Sequence, residues 1–427
     1  MPDSVQHSIL TQAVIDLLNP YLQLPDNASK ALIEEYCCYP DDFFSQDKSV
    51  YESIVPYMFI KDGIQFHYLP DTPLNELYRY WLPRPEEQRL EKPKQFHNSN
   101  FSHAKEGFEF YLNNIIKCFR ENNYDEGGKF AGCLLHMLED SAFGAHSLEG
   151  PCGTDLFILE RLFEEQDDLG KTPLGILTTL DCSQASNVEY CPQLLGKSVP
   201  EIIIHLYAAY VETVSISRRI CFKIVQNVYT GREEENPVLI QKMFSNTVKI
   251  CTDMLFSAWS VANQEFKNSE HLKKILLTEL EPLEFPLGGS CGYRFLSYMK
   301  NIAVNSNMQK IPLQLKLDNE IVYFDKGISF GSHYEVSLCY WIPQGVYLTF
   351  AACIGLHPDS LNQKSGVKIE LINNAKVVQE FNFNENNPAQ RIKLKNPHGK
   401  FGFNISYISN CHHQASIIII GNPIFKK

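Results

Sequence analysis

The chain has 427 residues, of which 44% are apolar and 21% charged, and 38 Lys and Arg against 50 Asp and Glu give a formal charge of -12. That length and composition exclude global disorder and give two or three domains with sizeable cores. The acidic balance excludes a general polynucleotide-binding surface, which needs clustered Lys and Arg, but leaves room for a small phosphate site neutralised by metal.

The first residues, Met1-Pro2-Asp3-Ser4, bring no basic segment followed by an apolar one, so no Sec-type signal is expected. The protein is expected to be cytoplasmic in the producing cell or exported by a signal-independent system. No run of about 18 apolar residues is present, so no spanning helix is expected. The most apolar patches, residues 201–211 and 416–420, are shorter than that. The 13 cysteines are odd in number, scattered, and include the adjacent pair Cys37-Cys38. That usage favours reduced thiols, mostly packed as small apolar groups, over a disulfide framework.

Along the chain, residues 1–285 read as helical. His7 opens the first helix, and Tyr39-Pro40-Asp41-Asp42 ends the next segment. His67 follows in an aromatic-rich loop with Phe66, Tyr68, Tyr78, Tyr80 and Trp81. Residues 106–121 place Phe108, Tyr111, Leu112, Ile115, Ile116 and Phe119 at i, i+3, i+4 spacing, an amphipathic helix. A break is expected at Gly127-Gly128, then a helix over 129–140. Two long helices are expected over 201–228 and 237–264. Pro, Gly, Asn and Asp mark loops between them.

Pro282, Pro286, Gly288 and Gly289 suggest a linker, with the domain boundary at 285/286. Beyond it, residues 347–354, 367–372 and 401–408 are rich in β-branched and aromatic residues. Turn residues separate them, with no helical stretch between. The fold class expected is therefore multidomain: an N-terminal α domain, then an all-β, jelly-roll-like sandwich over 286–427.

The chemistry concentrates in residues 134–150, LLHMLEDSAFGAHSLEG. His136 and Asp140 are four apart on the expected helix and share a face. His146 follows after the helix breaks near Gly144. An imidazole and a carboxylate on adjacent turns can grip one divalent ion, and nitrogen and oxygen donors suit zinc at about 2.0–2.2 Å. A His with an acidic neighbour on a helix is also common without any metal. His7, Asp41 and His67 supply the separated donors a zinc site would need.

On these residues the chain resembles the zinc-dependent phospholipase C and P1 nuclease superfamily. The H-x3-D-x5-H of His136, Asp140 and His146 matches that family's central motif. His7, Asp41 and His67 fall in the family's order, and the resemblance covers residues 1–270. HSLEG and FHYLPD look most like the larger bacterial zinc metallophospholipases C of the Pseudomonas and Legionella type. The resemblance implies a helical domain holding two or three zinc ions. Asp41, His67, His136 and Asp140 would hold the first, Asp140 would bridge to a zinc bound by His7, and His146 would begin the remaining site.

Two features depart from the family: no Trp stands near the start, and no H-x3-E or H-x3-D follows the central motif. Glu149 and His205, with Glu201 one turn earlier, are the candidates for the late ligands. Glu160 and Glu164 read more simply as a solvated acidic face, and His205 equally as a core histidine. Asp41 is the expected general base, and Phe66 and Tyr68 the expected substrate contacts, through aromatic faces able to hold a quaternary ammonium. Packing explains those aromatics as well.

The reaction implied is hydrolysis of the glycerol-side phosphodiester of phosphatidylcholine or a related phospholipid, at a membrane surface and by a monomer. Alternatives are a P1-type nuclease or nucleotidase, and a degenerate metal-binding protein with a glycan- or lipid-binding sandwich. Residues 313–427 are similar to carbohydrate-binding β-sandwich modules attached to glycoside hydrolases, which implies glycan binding. His412-His413 reads as a loop pair, and Lys426-Lys427 is too short for a polybasic anchor.

Overall fold

The computed structural model describes residues 4–22, 27–45, 60–61, 64–65, 101–143, 190–267, 269–283, 298–305, 307, 309–332, 336–361, 366–407 and 416–427. The chain divides into two compact units, Met1–Asn268 and Ser269–Lys427.

Among its described residues the first unit has six α-helices: α1 Ser4–Leu18, α2 Asn27–Ser45, α3 Phe101–Arg120, α4 Tyr124–Phe143, α5 Val199–Thr230 and α6 Asn236–Asn263. A two-stranded ladder, β1 Ile60–Lys61 and β2 Ile64–Gln65, lies between α2 and α3 in the chain. The apolar stripe expected on α3 is the buried one: Phe108, Tyr111, Leu112, Ile115, Ile116 and Phe119 all face the core. α5 packs against α3, α4 and α6. By length and composition, residues Val199–Ile224 could cross a membrane, contrary to the sequence expectation, but 56% of the apolar stretch is buried inside the unit. Its apolar character is thus explained by core packing.

Two local expectations change. The Gly127-Gly128 pair does not break the chain; α4 starts at Tyr124 and runs through both glycines. Their role is close packing. A Cβ on Gly127 would lie 2.6 Å from the Phe119 ring, and one on Gly128 3.1 Å from the Ser29 carbonyl. A Cβ on Gly132 would meet the Ile33 carbonyl at 2.4 Å and the Cys37 nitrogen at 2.9 Å. Gly128 and Gly132 therefore let α4 lie directly on the backbone of α2.

Likewise α2 does not end at Tyr-Pro-Asp but continues through Pro40 to Ser45. Proline has no N–H to give the carbonyl four residues back, that of Tyr36. The Cys133 thiol of α4 approaches that same oxygen at 3.7 Å. The close α2–α4 crossing thus supplies a partner where the proline removes one.

Among its described residues the second unit has two larger sheets and two short ladders, all antiparallel. Its strands in chain order include β3 Lys274–Leu276, β4 Met299–Lys300, β7 Leu313–Leu317, β8 Glu320–Phe324, β9 Gly327–Ser332 and β10 Val336–Ile342. Then come β11 Thr349–Leu356, β12 Val367–Asn373, β13 Lys376–Phe383, β14 Ala389–Lys395, β15 Gly399–Tyr407 and β16 Ser416–Lys426. The short β5 Ala303–Val304 and β6 Lys310–Ile311 pair with each other, as do β7 and β8. One sheet has the order β10-β15-β12-β13, the other β14-β11-β16-β9-β4 with β3 also on β16.

Aromatic rings join the two sheets. Phe350 on β11 meets Phe401 on β15 at 4.7 Å between centroids, and Phe401 meets Phe425 on β16 at 5.1 Å. On the far side of the second sheet, Ile417 and Ile419 pack with Leu313, Leu315 and Leu317 of β7. β16 is thus covered on both faces, which explains its unbroken Ile417–Ile420 run.

The expected boundary at 285/286 falls inside this second unit. β3 pairs with β16 through Leu276–Ile424, Ile275–Phe425 and Lys274–Lys426, so residues 274–276 belong to the sandwich. The division lies between Asn268 and Ser269. A three-residue strand leaves no periodic signal long enough to reveal its allegiance.

Candidate functional site

Three helices of the first unit bring polar side chains into its core. α1 carries His7 and Thr11 one turn apart, α2 carries Cys37 and Cys38, and α4 carries His136 and Glu139 at i, i+3. His7, Thr11, Cys37, Glu139 and His136 are all buried.

The two imidazoles stack, with ring centroids 4.1 Å apart and planes at 24°. Each is tied back through Nδ1. His7 Nδ1–H donates to Glu139 Oε2 at 2.7 Å, and His136 Nδ1–H donates to the Cys37 carbonyl at 2.6 Å. Neither a carbonyl nor a carboxylate can donate, so Nδ1 carries the hydrogen in both rings. In the neutral ring the lone pair is then on Nε2, the form a metal-ligating histidine takes. Glu139 Oε1 accepts from the Thr11 hydroxyl at 2.8 Å, so both carboxylate oxygens are occupied. Two imidazolium charges stacked at this distance in a buried site would repel strongly.

The adjacent thiols differ. Their sulfurs are 3.7 Å apart. The hydrogen bond with Cys38, then burial, pushes the Cys37 thiol well up. That same bond holds Cys38 below the ordinary thiol value against burial, with His7 and His136 adding to the lowering.

Asp41 lies on α2 four residues after Cys37, and Asp140 on α4 four residues after His136; only their backbone is among the described parts. His67, Phe66, Tyr68, His146 and Glu149 lie outside the described residues, as do Tyr78, Tyr80, Trp81, Glu160, Glu164, His412 and His413. His205 is half-buried on α5, its Nδ1–H donating to the Leu195 carbonyl. Glu201 accepts from the Lys197 backbone N–H at 3.0 Å. Both contacts fasten residues 195–197 to the first turns of α5. Among the described residues, no group of three or more His, Cys, Asp or Glu is placed to hold a metal ion. Of the predicted donors, the described part brings together two, His7 and His136, each with Nδ1 engaged and Nε2 in the tautomer able to ligate; this pair alone does not make a metal site.

Two contributors were missed from the sequence. Glu139 stands beside Asp140, and the metal-ligand spacing directs attention to the latter. A signal was present: a carboxylate at i+3 from His136 on the same helix, adjacent to Asp140. Thr11, four residues after His7, is the other.

No protein-family model matches the chain, and no curated protein matches it. Solved structures are similar at low identity. The CBM51-2 and INT domains of Clostridium perfringens ZmpB, in complex with GlcNAc, are 18% identical over 36% of this chain and 32% of that one, with a TM-score of 0.29. The tandem CBM51 modules of Sp3GH98, a family 98 glycoside hydrolase from Streptococcus pneumoniae, are 20% identical over 36% of this chain and 47% of that one, at 0.30. Alpha toxin from Clostridium absonum is 11% identical over 100% of this chain and 95% of that one, at 0.28. The chain thus spans less than half the length of the two carbohydrate-binding structures. Similarities this low carry no argument about activity.

Proposed function

We propose that the helical unit is a zinc-dependent phospholipase C that hydrolyses the glycerol-side phosphodiester of phosphatidylcholine or a related phospholipid. The products are diacylglycerol and the phosphorylated headgroup. One observation carries the reading: the stacked His7 and His136 rings, each fixed through Nδ1 so that Nε2 bears the lone pair. It stands beside the His136, Asp140, His146 spacing, which resembles the family's central motif.

In this reading His7, Asp41, His67, His136, Asp140 and His146 are zinc ligands, with Glu149 and His205 as the late candidates, for two or three ions. Zinc bound there would neutralise the phosphodiester and lower the pKa of a coordinated water toward neutrality. Glu139 and the Cys37 carbonyl hold the two rings in the ligand tautomer, and Thr11 holds Glu139. Asp41 is the proposed general base, accepting a proton from the attacking water. Phe66 and Tyr68 are the proposed headgroup contacts. For the sandwich unit the proposed ligand is a glycan, on the resemblance of residues 313–427 to carbohydrate-binding modules.

The test is release of diacylglycerol from phosphatidylcholine or phosphatidylglycerol vesicles by the full chain, with zinc content measured in parallel. Release is expected, and both chelator and His136→Ala should abolish it. Zinc-loaded protein that releases nothing from any phospholipid would sink the proposal. Cleavage of single-stranded nucleic acid with lipids untouched would favour the nuclease alternative.

A further inference from the structure

A concavity lies in the helical unit, and neither imidazole lines it. It is an open cleft of about 600 Å³ between the C-terminal half of α3, the start of α5 and Val261 of α6. That volume is within the range of small-molecule sites. Its α3 wall is one helical stripe, Asn113, Ile116, Lys117 and Arg120, with Glu121 just past the helix end. Residues 197–200 form the facing wall. None of the proposed zinc ligands lines it.

Charge sets this cleft apart. Three cations, Lys117, Arg120 and Lys197, open into it against one carboxylate, Glu121, on a chain whose net charge is -12. Among the described residues, no carboxylate forms an ion pair with any of the three. Arg120 Nη2 is steadied by the Val261 carbonyl at 3.4 Å, and Lys197 Nζ lies 5.5 Å from the centroid of the Phe266 ring. The 32-residue helix α5 begins at Val199 in the same wall, and its N-terminal dipole adds partial positive charge. Glu201 is turned back onto the Lys197 backbone N–H and offsets part of that. Like charges gathered in a concavity focus a positive field and repel one another until a counter-charge enters. The rest of the lining is apolar, with Ile116, Val199, Pro200 and Val261, and the polar groups of Asn113 and Ser198 complete it.

We propose that this cleft binds a phosphate monoester: a dianionic head among Lys117, Arg120 and Lys197, with a small organic body against the apolar lining. Three cations around one concavity suit a tetrahedral dianion better than a lone carboxylate. The volume leaves room for more than inorganic phosphate. The proposal is independent of the phospholipase reading, since the two sites share no residue.

The experiment is calorimetric titration of the full chain with glycerol 1-phosphate, alongside sedimentation with phosphatidylcholine vesicles containing or lacking phosphatidic acid. Binding should weaken at least about tenfold in the Lys117→Gln/Lys197→Gln double variant, both positions being exposed. The Lys117→Arg/Lys197→Arg variant should retain it, and His136→Ala should leave it unchanged. Binding of the soluble ester alone identifies a free metabolite as the source; binding of the phosphatidic acid vesicles alone identifies a lipid headgroup. Either result supports the cleft. Binding of neither overturns it, as does equal affinity in the Gln double variant or loss of binding in His136→Ala, which would move the anion to the imidazole pair.

Discussion

Glu139 offers the most direct probe of the buried histidine pair. It is fully buried and accepts from His7 at 2.7 Å and from Thr11 at 2.8 Å. In Glu139→Gln the amide keeps the shape. Its oxygen can face His7 Nδ1–H while its NH2 faces Thr11, whose hydroxyl rotates to accept. Both contacts survive but lose their charge, so the cost should be about 1–2 kcal/mol. In Glu139→Ala both donors lose a buried acceptor and a cavity opens, so the cost should be about 3–5 kcal/mol. The His7 ring is then free to change tautomer, and zinc affinity should fall about 10–100-fold, against much less in the Gln variant. Urea denaturation followed by helical circular dichroism, with zinc titration on the same proteins, measures both. An alanine variant as stable as the parent, or a glutamine variant worse than the alanine one, would refute the role given to this carboxylate.

Three other outcomes follow from the packing and charges. Gly132→Ala would drive a methyl into the α2 backbone, 2.4 Å from the Ile33 carbonyl; overpacking of about 1–3 kcal/mol should outweigh the roughly 1 kcal/mol gained in helix propensity, and an unchanged melting temperature would deny the close crossing. Burial pushes the Asp253 carboxyl up to about 7, against the Gln193 N–H, the Tyr190 hydroxyl and Lys249. A raised carboxyl pKa makes its stability contribution complete below about 4 and lost as pH rises to about 7, so stability relative to Asp253→Asn should decline across that window; a flat difference would contradict it. Phe350→Ala empties the ring cluster between the sheets, at 0% exposure, and should cost about 3–5 kcal/mol, read as loss of the sandwich's own thermal transition.

Much of the architecture was legible from local pattern. The 3.6-residue stripe on α3 and the alternation in β11, β12 and β15 identify the helical and strand-rich parts, because each backbone repeat imposes its period on which side chains meet the core. His7 and His136 also stood out, as polar residues at the spacing a known motif uses. The sequence left open whether a glycine pair breaks a helix or lets one helix approach another. Gly127-Gly128 reads either way, and only the neighbouring Phe119 ring and α2 backbone decide it.

The tertiary structure alone decided the partners. His7 and Glu139 are 132 positions apart in the chain, and His136 and Cys37 are 99 apart. No local period links such residues. Their meeting depends on how α1, α2 and α4 cross, and the close α2–α4 approach rests on two small residues, Gly128 and Gly132. For the same reason β3, three residues long, declares its place in the sandwich only through the hydrogen bonds it makes with β16.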